Sequence, residues 1–193
     1  MPKVVDREER RRAIASALLR LAAREGLEAV SIRTVAAEND MSPGAVQKYF
    51  ATKEDIILRA LELTEERLES RYAALPPNAG IGEHLRQYLP LDDKRREEAI
   101  LLTAFTARAA NRADWAKFLE EGYTAIHDST AELLRQAQRD GLLPADRDAH
   151  DLAAGLIALS DGLTLRLLLL PPGAPEADRL LRALDTSVRA LLG

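Results

Sequence analysis

The sequence predicts an all-α protein of about nine helices, with a three-helix head at the N-terminus and a helical body behind it. Three observations favour this fold class. Apolar residues recur at helical spacing along the chain, helix caps and glycine or proline stops separate the segments, and no strand-like alternation occurs. The 193 residues, 47% of them apolar, are enough to fill a core.

The first two helices have clear local signals. The first carries one buried stripe, made of Ile14, Ala17, Leu18, Leu21 and Ala22. Gly26 stands where a glycine ends a helix, since glycine readily adopts left-handed backbone. Ser31 is a favoured N-cap and starts a second helix that continues to about Glu38.

A tight turn and a short third helix follow. Asn39 and Asp40 tolerate left-handed backbone, so they predict the turn. Ser42-Pro43 restarts a helix that reaches about Phe50, because serine caps well and proline suits the first helical position. Thr52 caps a fourth helix that extends to about Ala74.

Five more helices complete the expected architecture. Proline and glycine residues mark their ends, for example at Pro90, Gly141 and Pro171. The predicted ranges are Ile81 to Leu89, Asp92 to Asn111, Asp114 to Asp140, Asp148 to Leu170 and Glu176 to Leu192. No internal repeat or low-complexity linker is found.

Composition excludes several classes of function. The chain has no cysteine, so a disulfide framework, a thiolate metal site and a cysteine nucleophile are excluded. The charged N-terminus does not resemble a signal peptide, and Asp161 and Arg166 interrupt the most apolar segment. We therefore expect a soluble, cytoplasmic protein that does not engage a membrane.

Enzyme chemistry and metal binding have little support in the sequence. The three histidines are scattered and lack the spacing of a helical metal site. Asp146, Asp148, His150 and Asp151 cluster where a helix begins, and acidic residues there complement the helix dipole. We expect no catalytic residues, no metal and no cofactor.

Charge is distributed unevenly between the two parts of the chain. Residues 1–54 carry ten Lys and Arg against eight Asp and Glu, whereas residues 55–193 carry seventeen against twenty-three. A mildly basic segment before an acidic body is typical of a nucleic-acid-binding head.

Residues 30–56 read as a helix, a tight turn, a short helix and a capped longer helix. A helix-turn-helix places its second helix in the major groove of DNA while its first helix crosses the phosphate backbone. A short second helix with small residues at its start suits a close approach to DNA.

This segment resembles the DNA-binding head of the TetR family of bacterial transcriptional regulators. The matching positions, within residues 8–60, are Ser31-Ile32-Arg33, Val35-Ala36, Ser42, Gly44, Tyr49-Phe50 and Lys53-Glu54. Two features depart from the family pattern. Asn39-Asp40 replaces Ala-Gly in the turn, and Val46-Gln47 replaces Leu-Tyr in the third helix, the recognition helix, which we call the reading helix. The resemblance implies a DNA-binding domain at 1–54 and a ligand-binding and dimerisation domain at 55–193.

Motif and chemistry together assign roles in DNA binding. We expect contacts from Arg33, Ser42, Gly44, Ala45, Gln47, Lys48, Tyr49 and Lys53. Ser42 and the N–H groups of Gly44 and Ala45 form a helix N-terminus suited to phosphate. Ala45 and Gln47 are the expected base readers, since an amide can pair with adenine. Arg33 and Lys53 could instead be ordinary solvated charges, and Tyr49 could be packing.

The body is expected to bind a small molecule. Tyr88, Phe105, Trp115, Phe118 and Tyr123 fall within 36 residues, and aromatic residues commonly line pockets between helices. The alternative is that these rings fill a core. The run at 89–109, LPLDDKRREEAILLTAFTARA, resembles the C-terminal domain of the betaine-operon repressor subgroup, without identifying a ligand.

The last two helices are expected to form a dimer interface. The resemblance implies that they pair with those of a second subunit as a four-helix bundle, and Leu156, Leu163 and Leu167 recur on one side. Internal core is the alternative. Asp161 and Arg166 could be an interface ion pair or a pocket anchor.

These predictions combine into one function. We expect a one-component regulator, in repressor form, that binds a palindromic double-stranded DNA operator as a homodimer and is released by a small-molecule inducer. The rival hypothesis is a helical ligand-binding protein or an enzyme whose head no longer binds DNA. Gly44 and the basic residues of the head argue against that rival.

Overall fold

The computed structural model describes the backbone of residues 4–192 and the side chains of residues 7–190. Nine α-helices, one 3-10 turn and no strand are present in this part of the chain. The helices are α1 Val4–Glu25, α2 Ile32–Glu38, α3 Pro43–Gln47, α4 Lys53–Ala73, α5 Ile81–Leu85, α6 Asp93–Ala109, α7 Ala113–Arg139, α8 Ala149–Leu168 and α9 Pro175–Leu192. The all-α prediction is confirmed.

Capping side chains set most helix starts, as the sequence predicts. The Ser31 hydroxyl accepts from the Thr34 N–H at 3.1 Å, while the Thr34 hydroxyl accepts from the Ser31 N–H at 2.8 Å. Thr52 and Asp55 form the same reciprocal pair at the start of α4, at 3.1 and 2.8 Å. Asp148 accepts the N–H groups of two residues at the start of α8. These bonds satisfy N–H groups that helix ends leave without partners.

Three details of the elements differ from expectation. Helix α5 ends at Leu85, whereas the sequence predicted that it continues to Leu89. A 3-10 turn, Leu27–Ala29, lies between α1 and α2, where the sequence predicted only a break. The regular part of α3 ends at Gln47, whereas the prediction extended it to Phe50. Lys48 and Tyr49 form a turn instead, and the Tyr49 and Phe50 N–H groups both reach the carbonyl of Val46.

The helices group into two compact units. The first contains residues 4–73 and 92–105 of the described chain, in which α1 packs against α2 and α4 and α2 packs against α3. Its apolar core includes Ile14, Leu18, Leu19, Val46, Ile56, Ile57, Leu101 and Phe105, which are almost completely buried.

Ion pairs surround the core of the first unit. The buried guanidinium of Arg59, 4% exposed, contacts Glu8 at 2.6 Å and Glu66 at 2.9 Å. The buried carboxylate of Glu98 on α6 contacts Arg67 at 3.2 Å and Arg71 at 3.0 Å, both on α4. These contacts tie α4 to α1 and to α6.

The second unit contains residues 74–91 and 106–192. In it α8 packs against α7, α9 and α5, and α5 also packs against α9. The core side chains are Ile81, Leu85, Leu89, Ala131, Leu134, Leu143, Ala149, Ala153, Leu156, Leu163, Leu167, Leu184 and Val188. Arg86 of α5 forms two short hydrogen bonds with Asp185 of α9, at 2.6 and 2.7 Å.

The units follow packing rather than the order of the helices. All of α4 belongs to the first unit, and α6 is divided, since residues 93–105 group with the first unit and 106–109 with the second. The functional boundary after residue 54, between a DNA-binding domain and a ligand-binding and dimerisation domain, stays a prediction. Within the described residues, no helix is both long and apolar enough to cross a membrane.

Candidate functional site

Helices α2 and α3 form the expected helix-turn-helix. Asp40 has a φ of 51°, so it adopts the left-handed backbone that the turn requires, and the Met41 N–H donates to the Ala36 carbonyl at 2.8 Å. An aspartate tolerates this conformation better than most residues. The replacement of the family's Ala-Gly by Asn39-Asp40 therefore leaves the turn intact.

The N-terminus of α3 differs in detail from the expected phosphate site. Ser42 caps the helix and accepts from the Ala45 N–H at 3.2 Å, and the same N–H also reaches the Ser42 carbonyl at 2.9 Å. The Ala45 N–H therefore already has partners within the chain. Since Pro43 has no N–H, the Gly44 N–H and the Ser42 hydroxyl are the donors that this helix start can offer.

Gly44 is exposed and faces open space. A Cβ built at this position meets no atom within 4 Å, and its φ is not in the positive region. Nothing within the chain itself therefore requires glycine at position 44.

The expected DNA-contacting residues lie at the surface of the head. Arg33, Ser42, Gly44, Gln47 and Lys48 are exposed, whereas Ala45, Tyr49 and Lys53 are half-buried. Three apolar residues anchor the helices from the buried side: Val35 and Val46 are 0% exposed and Phe50 is 2% exposed. Helical spacing predicts that Ile32 also faces the core, but the structure leaves it only half-buried.

Arg11 contacts the end of the reading helix, a contact that no sequence motif indicates. Its Nη1 donates to the Tyr49 carbonyl at 2.9 Å, and its guanidinium carbon lies 4.4 Å from the centroid of the Phe50 ring. The partners are 38 residues apart along the chain, so no local pattern could reveal the contact.

The aromatic residues expected to line a ligand pocket occupy different surroundings. Phe105 is completely buried in the first unit. Tyr88, Phe118 and Tyr123 of the second unit are half-buried, and Trp115 is 5% exposed, with the Arg112 guanidinium 4.1 Å from its ring centroid. Whether these rings line a pocket stays a prediction.

Asp161, an acidic residue in the apolar helix α8, contacts Tyr123. The Tyr123 hydroxyl donates to Asp161 Oδ2 at 3.4 Å, and the His127 ring lies 6.5 Å from the Tyr123 ring. Burial raises the pKa of Asp161, and burial with the nearby carboxylate raises the pKa of Tyr123. Within residues 7–190, Asp161 and Arg166 form no ion pair with each other.

The three leucines expected at a dimer interface point into the second unit itself. Leu156, Leu163 and Leu167 are 1%, 6% and 5% exposed and belong to its core. Their partners lie within the same chain, so a second copy is not needed to cover them. Their role in a dimer interface stays a prediction.

A different face of α8 is exposed. It carries Gly155, Ala158, Gly162, Leu165 and Leu169, at spacings of three and four residues. Leu165 is 51% exposed and Leu169 77% exposed, and a Cβ at either glycine would meet nothing within 4 Å. We call these five residues the α8 stripe.

In the acidic cluster around Asp148, Asp148 itself caps the N-terminus of α8. Asp148 accepts the N–H groups of His150 and Asp151 at 2.8 and 3.0 Å. Within the described residues, no group of three or more His, Cys, Asp or Glu is arranged to hold a metal ion.

Comparison with known proteins matches both parts of the chain. A model of the bacterial regulatory proteins of the tetR family matches residues 14–60, and a model of the BetI-type transcriptional repressor C-terminal domain matches residues 77–193. The regulator PksA of Bacillus subtilis is 29% identical over 196 aligned positions, covering 99% of this chain and 94% of PksA. The regulator BetI of Rhizobium meliloti is 27% identical over 171 positions, covering 86% of this chain and 81% of BetI.

Solved structures agree with these matches. A transcriptional regulator from Rhodococcus sp. Rha1 is 30% identical, with a TM-score of 0.79 and coverage of 94% of this chain and 95% of the other. A regulator from Saccharomonospora viridis, solved in complex with choline, is 26% identical, with a TM-score of 0.77 and coverage of 94% and 96%. The chain belongs to the TetR family of transcriptional regulators, with a helix-turn-helix DNA-binding domain at its N-terminus and a BetI-type C-terminal domain.

Proposed function

We propose that the protein is a homodimeric repressor that binds a palindromic operator and leaves it when a small organic cation binds the C-terminal domain. The observation that carries the proposal is the surface around α3. The apolar side chains of Val46 and Phe50 are buried, while Gln47 and Lys48 are exposed. Gly44, in the first turn of α3, faces open space beside them. The BetI-type repressor match supports the repressor role.

Each predicted DNA contact has a specific task. Arg33, Lys48 and Lys53 supply positive charge for phosphates, which fixes position without reading sequence. Gln47 reads a base edge through its amide. Gly44 lets the DNA backbone approach the start of α3 closely, which explains a glycine that the chain itself does not require.

The DNA-binding proposal can be tested without knowing the operator. Duplexes selected by the wild-type protein from a random-sequence library provide the specific probe, and a scrambled duplex of equal length provides the nonspecific one. Lys53→Ala should weaken both affinities equally and lower the salt slope by about one ion per protomer. Gln47→Ala should relax the selected sequence. Lys94→Ala, an exposed lysine on α6, is the matched charge control.

Three outcomes would contradict this part of the proposal. A wild-type protein that selects no sequence would remove operator binding altogether. An unchanged salt slope in Lys53→Ala would remove the phosphate contact. A Gln47→Ala variant that selects the wild-type sequence would show that Gln47 reads no base.

The second subunit is proposed to cover the α8 stripe. Spacings of three and four residues are those of helices that pack along each other, and small residues allow two helices to approach closely. Exposed Leu165 and Leu169 supply apolar area that water otherwise contacts. A two-fold dimer also matches the symmetry of a palindromic operator.

The oligomeric state tests this surface. Leu165→Glu puts a charge into the proposed interface and should convert the dimer to a monomer in sedimentation velocity, with the helical circular dichroism retained. Leu142→Glu is the matched control, because Leu142 is 67% exposed and lies outside the stripe. A Leu165→Glu protein that sediments as the wild type would move the interface elsewhere.

The effector is proposed to be a cation because of the Asp161 and Tyr123 pair. A carboxylate on an apolar helix beside aromatic rings offers both charge and ring faces to a quaternary ammonium group. The complex of the Saccharomonospora viridis regulator with choline supports this chemistry. Tyr88, Trp115 and Phe118 are proposed as apolar lining residues, and Phe105 as a core residue of the first unit.

Choline is a suitable first probe. Titration calorimetry should show binding that Asp161→Asn weakens at least tenfold, while Asp151→Asn, an exposed carboxylate on the same helix, leaves it unchanged. Choline should also release the selected duplex from the wild-type protein, since an effector must favour the DNA-incompetent state. Equal choline binding by Asp161→Asn would remove Asp161 from the site.

A further inference from the structure

We propose that Arg11 is a positioning residue that holds the reading helix α3 in its DNA-binding orientation. The inference rests on the proposed DNA-binding function of α3. It concerns a residue of α1 that belongs neither to the helix-turn-helix nor to the expected contact set.

The short length of α3 makes its orientation depend on tertiary contacts. The helix has five residues, Pro43–Gln47, which is far below the length at which an isolated helix is stable. Val46 and Phe50 anchor it on the apolar side. Apolar packing is not directional, so these two side chains alone do not fix the rotation of the helix end.

Arg11 supplies the directional contacts. Its Nη1–H donates to the Tyr49 carbonyl at 2.9 Å, which satisfies one of the carbonyls that remain without a partner where a helix ends. The flat guanidinium lies over the Phe50 ring at 4.4 Å. A planar group held by a hydrogen bond and a ring contact has little freedom to move.

Two carboxylates lie near Arg11. Glu8, one turn earlier on α1, lies 3.6 Å from its Nε. Asp55, in the first turn of α4, is close enough for Arg11 to help lower the pKa of its carboxyl, after the larger effect of the hydrogen bonds from Thr52. The contacts of the guanidinium therefore join α1 to the end of α3.

This placement predicts an effect on specificity rather than on charge. Base contacts require the reading side chains to be held within fractions of an ångström, whereas phosphate contacts tolerate small shifts. Loss of the Arg11 contacts should therefore weaken binding to the correct sequence and leave nonspecific binding almost unchanged. A charge-assisted hydrogen bond of this kind corresponds to roughly a tenfold effect.

The experiment compares specific and nonspecific DNA across a salt series. The probes are a duplex selected from a random library by the wild-type protein and a scrambled duplex of equal length. For Arg11→Gln we expect about a tenfold lower ratio of specific to nonspecific affinity, with a salt slope equal to that of Arg10→Gln. Arg10 is the matched control, since it is an exposed arginine of the same helix.

Arg11→Lys provides the second variant. It keeps the charge and can still donate to the Tyr49 carbonyl, but it lacks the flat face, so its specificity ratio should lie between those of the wild type and Arg11→Gln. Circular dichroism at the assay temperature checks that each variant is folded, and Arg11→Lys carries the test if Arg11→Gln is not.

The outcomes separate the inference from its alternatives. Arg11→Gln could lose affinity equally for both duplexes and show a reduced salt slope that Arg10→Gln does not show. This result makes Arg11 a direct phosphate contact and overturns the inference. An unchanged specificity ratio in folded variants overturns it as well. A wild-type protein that selects no sequence instead refutes the proposed function, so the two failures are distinguishable.

Discussion

Replacing Glu98 by glutamine should destabilise the first unit, because this carboxylate joins α6 to α4. Each of its oxygens forms an ion pair with one arginine, Arg67 at 3.2 Å and Arg71 at 3.0 Å, and its side chain is only 8% exposed. A hydrogen bond to a charged group contributes about 1.5–3 kcal/mol. Breaking a fully buried ion pair costs about 3–5 kcal/mol.

The expected loss is smaller than that upper range. The two arginine side chains are 26% and 24% exposed, so water partly replaces the lost charge, and the amide oxygen of glutamine can still accept one bond. We expect the free energy of unfolding to fall by about 2 kcal/mol. With a urea dependence of about 2 kcal/mol per M, the unfolding midpoint should fall by about 1 M.

Urea unfolding followed by circular dichroism at one protein concentration measures this loss. Glu97→Gln is the matched control, since it makes the same change one residue earlier on α6. Burial raises the pKa of Glu97, so its charge is disfavoured in the folded state and its removal should cost nothing. Equal midpoints for the two variants would refute the stabilising role of the Glu98 ion pairs.

Three further predictions concern the stability of single sites. Burial raises the pKa of Glu65, so the ionised carboxylate destabilises the folded chain as pH rises above the usual pKa of 4.5. Glu65→Gln should therefore raise the melting temperature at about pH 7 but not at about pH 4. Asp148→Ala should lower the stability near neutral pH by removing the cap of α8. Its backbone hydrogen bonds lower the pKa of Asp148, so this loss should shrink as pH falls below 3.8, whereas exposed Asp146→Ala should have no effect. Leu163→Ala should cost about 2–5 kcal/mol in chemical unfolding, and a monomeric but otherwise stable variant would contradict its place in the core of one chain.

Local signals explain why the helices could be predicted from the sequence. Ser31, Ser42, Thr52 and Asp148 all cap the helices that they were expected to start, because a cap bonds to N–H groups two or three residues away. Asp40 adopts the expected left-handed backbone for the same local reason. The end of α3 was predicted less well, since its turn also contacts Arg11 of α1.

The candidate sites were harder to predict because they depend on which face of a helix is covered. Helix α8 is apolar around most of its circumference, so periodicity alone could not separate its inner face from its outer one. The structure places Leu163 inside and Leu165 outside, although the two are chemically identical. The buried and exposed residues of the reading helix were easier to predict, because Val46 and Gln47 differ in polarity. Apolar Val46 is buried and polar Gln47 is exposed.

The ion pairs of the first unit limit how many cations are available to DNA. Arg12, Arg20 and Arg24 each contact a carboxylate of the same unit, so their charge is already balanced within the protein. Arg33, Lys48 and Lys53 are the cations that we propose for phosphate contacts, which is three for each protomer. A dimer that neutralises about six phosphates releases about five counterions from the duplex. Doubling the salt concentration would then weaken the proposed operator binding by about thirtyfold, so the ionic strength sets the affinity as much as the base contacts do.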